Sequence, residues 1–464
     1  MTGRSDESGE PTATATDRGE SVRRLDDWDG AFLRSLAAEY ETPLYVLDLD
    51  RVRANYRRLA SAFPDADICY AAKANALGDV LETLLAEGAT IECASAGEVQ
   101  RALAAGASGD RIHYTAVNPP ERDLEYVLDV WADEPHLTIT AGARDTVERL
   151  ADAGYDGRLA LRVNPGVGAG HHDAVRTGGD ATFGIPADRL VGVAEFAVES
   201  GLDLVGLHAH VGSGVLDDEQ VAAHREFVGR VAALAEDILS AVGPVDFVDV
   251  GGGFGVPYRE SESPLDLDAV AGATRDALVG VDADLVVEPG RYLVADAGLL
   301  LTRANTVKET PGTRVVGVDA GMTSLLRPAL YDAYHDIRPV APGAADRDRV
   351  AQTITGPICE SADVFCTDRP LPRIDREEPL AVGNAGAYGY EMASTYNSRP
   401  RPASVVVDAG SVSLARRRES IDDLTRLERN RADAGTERAP GAAERAADGT
   451  SPATDGGSST EVDE

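Results

Sequence analysis

Lys73 ends the apolar, strand-like run ICYAAKAN (68–75) and is one of only two lysines in this 464-residue chain. The other is Lys308, and arginine supplies the rest of the 44 basic residues. A lysine kept in a chain that otherwise uses arginine indicates chemistry that arginine lacks. Lysine forms an imine with an aldehyde, and partial burial lowers its proton affinity and makes it nucleophilic. The alternative is an ordinary lysine with a buried stem and a hydrated ammonium.

Other polar and glycine-rich signals occur at the ends of further strand-like runs. They are His210 and Ser213 in HAHVGSG, Gly251, Gly252 and Gly253 in DVGGGFG, and Glu288 and Arg291 in EPGR. Glycine backbone can bring N–H groups against a phosphate, and Arg291 and Ser213 add a cation and a hydroxyl. Glu288 either pairs with Arg291 or keeps a heterocyclic nitrogen protonated. His210 is either a satisfied strand-end histidine or a ring that stacks on a cofactor. Together with an imine-forming lysine, these groups predict a pyridoxal phosphate site.

The elements that must position these residues form a regular alternation. Short apolar runs occur at 67–75, 90–95, 112–117, 136–140, 158–165, 204–213, 247–253 and 284–290. Amphipathic stretches separate most of them, which predicts an α/β fold, a (β/α)8 TIM barrel. A doubly wound open sheet is the alternative. Catalytic groups of barrel enzymes lie at the C-terminal ends of the strands. The signals on the first, sixth, seventh and eighth runs should therefore converge.

The chain divides into five predicted parts. They are a disordered tail (1–23), a leading segment that contributes to a β domain (24–48), the cofactor-binding barrel (49–297), a mostly antiparallel C-terminal β domain (298–430) and a disordered acidic tail (431–464). Both tails contain few apolar residues that could be buried in a core, which predicts disorder. After residue 298, apolar runs are separated by turns instead of long helical stretches. The apolar spacing within 419–430 predicts a terminal helix.

Composition narrows the possible partners and the compartment. The 79 acidic residues give a net charge of −35, which disfavours nucleic acid and anionic membranes as partners. The acidic excess, with arginine in place of lysine, is typical of a halophilic protein. The four cysteines show no metal-binding spacing, so no metal is expected and a reducing compartment is indicated. The polar N-terminus and the lack of a long apolar run predict a soluble, cytoplasmic protein.

Seven motifs occur in a fixed order between about residue 28 and about residue 430. They are YAAKAN, HAHVGSG, GGGFG, EPGR, RPALYDAYH, GPICESADVF and GNAGAYGYEMAS. In these motifs the chain resembles the diaminopimelate decarboxylases, which are fold-type III pyridoxal-phosphate-dependent decarboxylases. The resemblance implies an alanine-racemase-type barrel plus a β domain, and pyridoxal 5'-phosphate as the cofactor. It also implies an amino-acid substrate, meso-2,6-diaminopimelate, converted to L-lysine and CO2 in the last step of lysine biosynthesis. A homodimer with active sites at the subunit interface is expected.

The resemblance also implies a role for each matching residue. Lys73 is the Schiff-base lysine and Cys359 the proton donor, its site completed across the dimer interface. The cofactor would be bound by Lys73, His210, Ser213, Gly251, Gly252, Gly253, Glu288, Arg291 and Tyr388. The distal amino-acid end of the substrate would be held by Arg291, Arg327, Tyr331, Glu360 and Tyr388. Without the motifs, Cys359 is a small buried hydrophobe, Tyr331 and Tyr388 are packing aromatics, and Arg327 and Glu360 are surface charges.

The chain departs from the family pattern at a few positions outside this set. Thr323 and Ser324 replace a common Asn-Asp pair, Thr182 replaces a frequent lysine, and 170–179 differ in detail from a mobile family loop. Three rival functions remain. They are a decarboxylase for ornithine, arginine or a carboxylated polyamine, a non-catalytic cofactor carrier, and a racemase. Arg327 and the CES motif argue against the first, because a substrate without a distal carboxylate has no use for that arginine.

Overall fold

The structure is a computed structural model that describes residues 22–166, 183–210 and 212–428. The first ten strands are β1 (Leu44–Asp48), β2 (Ala66–Ala71), β3 (Thr90–Cys93), β4 (Ile112–Tyr114), β5 (Thr138–Ala141), β6 (Arg158–Asn164), β7 (Ile185–Pro186), β8 (Asp203–His208), β9 (Phe247–Asp249) and β10 (Asp284–Val287). The other eight are β11 (Gly298–Thr310), β12 (Thr313–Val318), β13 (Ile337–Pro339), β14 (Arg349–Thr355), β15 (Val364–Pro372), β16 (Pro379–Val382), β17 (Ala403–Asp408) and β18 (Ser411–Arg416).

Helices alternate with the strands in the first half of the chain. They are α1 (Gly30–Glu39), α2 (Leu49–Ala62), α3 (Gly78–Glu87), α4 (Ala96–Ala104), α5 (Glu121–Asp133), α6 (Arg144–Asp152), α7 (Leu190–Glu199), α8 (Asp218–Val242), α9 (Leu267–Ala277), α10 (Arg291–Val294), α11 (Arg327–Tyr331) and α12 (Ile421–Thr425). Capping residues in the local sequence fix where several helices begin. The Asp48 carboxylate accepts from the N–H of Arg51 to cap α2, and Asp217 and Gln220 form a capping box for α8.

Eight parallel strands close into a barrel. Their order is β5, β4, β3, β2, β10, β9, β8 and β6, and pairing of β5 with β6 completes the ring. The predicted (β/α)8 barrel is confirmed, and the open-sheet alternative is wrong. Each strand is buried on both faces, which explains the near-continuous apolar runs. Seven of the eight barrel strands end before their predicted runs do, where the chain leaves the sheet to form the loops at the barrel mouth, and β5 ends one residue after its run.

The second sheet forms the β domain, and most of its pairs are antiparallel. Its central order is β15, β14, β12, β11, β1, β17 and β18, with β16 on β11 and β13 on β16. Strand β1 precedes the barrel in the chain but lies between β11 and β17. Helix α1 covers this sheet, and its Leu33 and Leu36 pack in one buried cluster with Val46, Leu299 and Val405. The leading segment and the C-terminal strands thus share a core.

The two ends of the described chain differ in how they pack. Val22 is buried and the Arg23 guanidinium lies 2.7 Å from the Asp48 carboxylate, although both residues were assigned to the N-terminal tail. At the other end α12 is short, and Ile421 and Leu427 are 69% and 89% exposed, so their helical spacing does not mark a face buried within this chain. Residues 1–21 and 429–464 lie outside the described residues. Among the described helices, none has the length and apolarity needed to span a bilayer.

Candidate active site

Lys73 lies in a single 3-10 turn (Ala72–Ala74) that directly follows β2, at the C-terminal mouth of the barrel. Its Nζ is 3.0 Å from Oε2 of Glu92, which is buried on β3, while the Lys73 side chain keeps 41% of its surface exposed. Burial disfavours the ammonium, but the charges of Glu92 and Glu288 outweigh it and raise the pKa of Lys73. The expected loss of proton affinity is therefore wrong: without a ligand, Lys73 is a stabilised cation.

Glu288 follows β10 and is buried beneath the same mouth. Its Oε2 is 3.2 Å from Nε2 of His208 and 4.0 Å from Nδ1 of His210. It does not pair with Arg291, which was the structural alternative. Burial opposes the charge of this carboxylate, yet His208 and Lys73 lower its pKa below the ordinary range. Its other oxygen, Oε1, is buried without a hydrogen-bond partner among the described residues. This ionised oxygen can therefore accept a hydrogen bond from a bound ligand.

Asp249 ends β9 and belongs to the same buried group. Its carboxylate accepts from the N–H of Gly251 at 2.7 Å, and ligand atoms of His208, Asp249 and Glu288 lie within 4.8 Å of one another. Burial and the neighbouring charge of Glu288 raise the pKa of Asp249 well above its usual value. Two carboxyl groups this close do not both ionise, so Asp249 holds a proton and Glu288 carries the charge.

The glycines after β9 allow the backbone to approach the mouth closely. Gly251 has φ +72°, and a Cβ on Gly252 would lie 2.1 Å from the backbone oxygen of Glu288. The N–H of Gly252 donates to Nδ1 of His210 at 3.2 Å, which orients that ring. Burial and the nearby Lys73 charge lower the pKa of His210 to about 3. His210 is thus a neutral ring held above a side-chain-free surface.

Arg291 and Ser213 lie together beside this cradle. Nη2 of Arg291 donates to Oγ of Ser213 at 3.3 Å, and Nη1 donates to the hydroxyl of Tyr258 at 2.9 Å. The guanidinium carbon is also 4.9 Å from the ring centre of Tyr388. Tyr388 has φ +55°, and its N–H donates to the backbone oxygen of Ala74, one residue after Lys73. This hydrogen bond connects the β domain to the 3-10 turn that contains Lys73.

Arg327 begins α11 and is 4% exposed. Its Nη1 donates to the Tyr258 hydroxyl at 3.1 Å and to Nε2 of His335 at 2.9 Å. Nδ1 of His335 lies 2.8 Å from the backbone oxygen of Gly383, which fixes the neutral tautomer that accepts from Arg327. A cavity of about 470 Å³ is lined by Tyr258, Arg291, Arg327, Tyr331 and Asp332, among others. Two cations thus meet at one wall, and among the described residues neither guanidinium forms an ion pair with the carboxylates of Asp217, Glu262 and Asp332, which line the same cavity.

Cys359 and Glu360 lie elsewhere in the β domain. Cys359 is exposed, with Nδ2 of Asn397 4.0 Å from its Sγ, and Glu360 Oε2 accepts from the Tyr396 hydroxyl at 3.4 Å. These contacts are with the β domain, not with the barrel mouth of the same chain. The structure therefore brings the other predicted site residues together and leaves this pair apart from them.

The mouth fits pyridoxal phosphate on its own geometry. The ionised Oε1 of Glu288, which has no hydrogen-bond partner among the described residues, suits a protonated ring nitrogen, and a Cβ on Gly252 would fill the cradle. The accessible amine of Lys73 opens to the same mouth. Ser213 and Arg291 supply the hydroxyl and the cation that a phosphate needs.

Comparison with known proteins shows the family of this chain. The family model "Pyridoxal-dependent decarboxylase, pyridoxal binding domain" matches residues 49–295. The diaminopimelate decarboxylase of Methanothermobacter thermautotrophicus is 42% identical over 410 residues, which cover 86% of this chain and 94% of that protein. The chain belongs to the diaminopimelate decarboxylase family. The predicted family, fold class, carboxy-lyase activity and pyridoxal phosphate cofactor are thereby confirmed.

Further diaminopimelate decarboxylases match across nearly their whole length. That of Aquifex aeolicus is 37% identical and covers 85% of this chain and 93% of its own. The crystal structure of the Helicobacter pylori diaminopimelate decarboxylase complexed with L-lysine aligns with a TM-score of 0.79 at 33% identity. The alignment covers 85% of this chain and 99% of that chain.

The departures from the family pattern have different structural settings. Thr323 and Ser324 are both buried, and their backbone oxygens accept from the N–H of Ser394 and the hydroxyl of Tyr45. Their side chains differ from Asn-Asp, but the backbone contacts that join two segments of the β domain do not depend on side-chain type. Thr182 and the segment 170–179 lie outside the described residues.

Several residues that complete the site were missed by sequence reasoning. They are Glu92, His208, Asp249, Tyr258, His335 and Asp332. All but Glu92 lie in or near the quoted motifs: His208, Asp249, Asp332 and His335 occur inside them, and Tyr258 follows GGGFG by three residues. Proximity to a motif could therefore have pointed to them. Glu92 carries no such signal, because it lies outside the motifs and its partner Lys73 is 19 positions away in the sequence.

Proposed function

We propose that this protein decarboxylates meso-2,6-diaminopimelate to L-lysine and CO2, the last step of lysine biosynthesis, at the mouth of its barrel. The observation that carries the substrate assignment is the setting of Arg327. It is buried at the wall of a 470 Å³ cavity, and its partners, Tyr258 and His335, are not carboxylates. A buried cation without a counter-charge is costly unless a ligand supplies one. A substrate with a distal carboxylate does so, and ornithine or arginine does not.

The cofactor would be held by Lys73 through Nζ, by His210 against the ring, and by Glu288 at the ring nitrogen. Ser213, Arg291 and the N–H groups of Gly251, Gly252 and Gly253 would surround the phosphate, with Tyr388 beside Arg291. When bound, pyridoxal phosphate supplies an electron sink for the bond to the departing carboxylate.

Protonation states at the mouth support this allocation. Glu288 stays ionised because His208 and Lys73 lower its pKa and Asp249 takes the shared proton. An anion at Glu288 keeps a proton on any basic nitrogen that it contacts. Glu92 stabilises the Lys73 ammonium. Lys73 must therefore transfer a proton to another group before its amine can act as a nucleophile. The adjacent carboxylate is the acceptor within reach.

We also propose that the enzyme works as a homodimer, with Cys359 and Glu360 reaching the site of the partner copy. Their exposed position in the β domain, away from the Lys73 cluster, supports this arrangement. In it Cys359 would donate the proton that replaces CO2, and Glu360 would face the distal ammonium of the substrate. Both roles need a second chain, because the contacts of the pair within one chain do not include the barrel mouth.

The strongly acidic composition further supports a proposed cytoplasmic, salt-adapted enzyme. A net charge of −35 destabilises a compact chain through self-repulsion at low salt, and screening at high salt removes much of that repulsion. Activity assays should therefore be made across a range of salt concentrations.

The substrate assignment is tested by CO2 release from purified protein with added pyridoxal phosphate. Candidate substrates are meso-2,6-diaminopimelate, ornithine, arginine and a carboxylated polyamine. Release is expected only from the first, because it alone presents an amino-acid group at its far end to Arg327. Faster release from a substrate without a distal carboxylate would overturn the proposal and support the rival decarboxylases.

A further inference from the structure

Tyr258 lies where the cofactor side and the substrate side of the site meet. It follows the glycine run by a few residues, and its ring is packed edge-on against His335 with ring centres 5.4 Å apart. Its hydroxyl accepts from Nη1 of Arg291 at 2.9 Å and from Nη1 of Arg327 at 3.1 Å. A continuous chain therefore runs from Ser213 through Arg291, Tyr258 and Arg327 to His335.

Two of the three hydrogen-bonding positions of the Tyr258 hydroxyl are occupied. A tyrosine oxygen has two lone pairs and one proton. Both lone pairs accept from guanidinium groups, so the proton is the group left to interact with a third partner. Two cations against one oxygen withdraw electron density from it, and although burial opposes ionisation, Arg291 and Arg327 lower the pKa of Tyr258. A more acidic hydroxyl is a stronger hydrogen-bond donor to an anion.

The position of the hydroxyl selects its partner. Tyr258, Arg291 and Arg327 line the same cavity of about 470 Å³. Both protons of Arg327 Nη1 are already donated, to Tyr258 and His335, so the protons of Nε and Nη2 are the ones that Arg327 can offer to a carboxylate. A carboxylate oxygen that accepts from Nη2 on the side facing Nη1, between the two cations, lies next to the tyrosine hydroxyl, because that hydroxyl bridges Arg291 and Arg327.

We propose that Tyr258 is a specificity-determining residue: its hydroxyl donates to the distal carboxylate of the substrate and holds Arg291 and Arg327 in register to receive it. This inference rests on the proposed function, since it assigns a third donor to the substrate that Arg327 binds. Tyr258 thereby distinguishes a ligand that carries a carboxylate from a diamine of the same chain length.

The test is Tyr258→Phe, which keeps the ring against His335 and removes only the hydroxyl. A hydrogen bond to a charged group is worth enough to raise KM for meso-2,6-diaminopimelate by about tenfold or more. The value of kcat should stay within about threefold, because the distal carboxylate does not react and is bound equally before and during the reaction. Tyr334→Phe is the matched control, because its ring lines the same cavity but stacks with Arg259 and Arg369.

Binding by calorimetry separates recognition from turnover. Affinity for L-lysine should fall in Tyr258→Phe by about the same factor as KM rises, while affinity for 1,5-diaminopentane, which has no carboxylate, should not change. The visible absorption of bound pyridoxal phosphate and the thermal unfolding midpoint should match those of the wild type. Equal weakening of both ligands, or an unchanged affinity for L-lysine, would overturn the role of Tyr258. If the wild type releases no CO2 from meso-2,6-diaminopimelate, the proposed function fails, and the lysine and diamine affinities still decide the role of Tyr258.

Discussion

Removal of the Arg327 guanidinium gives the sharpest test of how the substrate is recognised. In Arg327→Leu the cavity wall keeps an apolar side chain of moderate size but loses the Nε and Nη2 donors. Nη1 is committed to Tyr258 and His335, so these two donors are the ones available to a carboxylate. Each charge-assisted hydrogen bond contributes roughly 1.5–3 kcal/mol. One such bond at the upper end of this range amounts to about 3 kcal/mol, or about a 150-fold loss in kcat/KM.

The assay is steady-state CO2 release from meso-2,6-diaminopimelate, with 1,5-diaminopentane as a competitive inhibitor. The inhibition constant of the diamine should not rise, because it has no carboxylate to lose contact with Arg327. Arg327→Lys should lie between the wild type and Arg327→Leu, since lysine keeps the charge but not the planar pair of donors. Arg259→Leu serves as a matched control, because Arg259 lines the same cavity but stacks on Tyr334. A value of kcat/KM within about threefold of wild type in Arg327→Leu would refute the reasoning.

Three further predictions concern the lysine, the dimer and pH. Lys73→Ala should abolish CO2 release and the visible absorption of bound cofactor, whereas Lys308→Ala, which alters the other, exposed lysine, should keep both. Activity of Lys73→Ala at the wild-type rate would contradict the assignment. Mixing inactive Lys73→Ala and Cys359→Ala chains should restore about a quarter of the wild-type activity if each site takes one residue from each copy; no recovery after verified subunit exchange would count against a shared site. His224 is buried with its Nε2 2.8 Å from Oγ1 of Thr274, and burial lowers its folded-state pKa to about 4. The unfolded chain gains that proton near pH 6.5, so stability present above that pH is lost as pH falls towards 4, by about 2 kcal/mol between pH 7 and 5. His224→Gln should reduce this loss in urea unfolding, and an unchanged pH dependence would show that His224 does not cause it.

The eight barrel strands could be predicted because the information lies in contiguous residues. A parallel strand buried on both faces reads as a short apolar run, and the helix that follows reads as an amphipathic stretch. Lys73, Gly252 and Glu288 could be predicted as site residues for the same reason, since each occurs in a short motif at the end of such a run. Parallel strands of a barrel end at one mouth, so agreement among several runs predicted their convergence.

The protonation states of the site residues could not be predicted from local sequence patterns. Burial alone predicts a lysine with reduced proton affinity, but Glu92 and Glu288 reverse the sign for Lys73. Glu92 is 19 positions from Lys73, and Glu288 is 80 positions from His208. No local pattern encodes such pairs, because they depend on which strands are neighbours in the closed ring.

The sequence by itself therefore determined the fold class and the cofactor and predicted a set of candidate site residues, since these follow from local periodicity and from motifs a few residues long. Only the tertiary structure decided which carboxyl group is charged and which cations meet at one hydroxyl. It also separated Cys359 from the barrel mouth of its own chain. Coulombic and hydrogen-bond energies depend on distances of a few ångströms between residues remote in the chain, and these distances exist only after the sheets have closed.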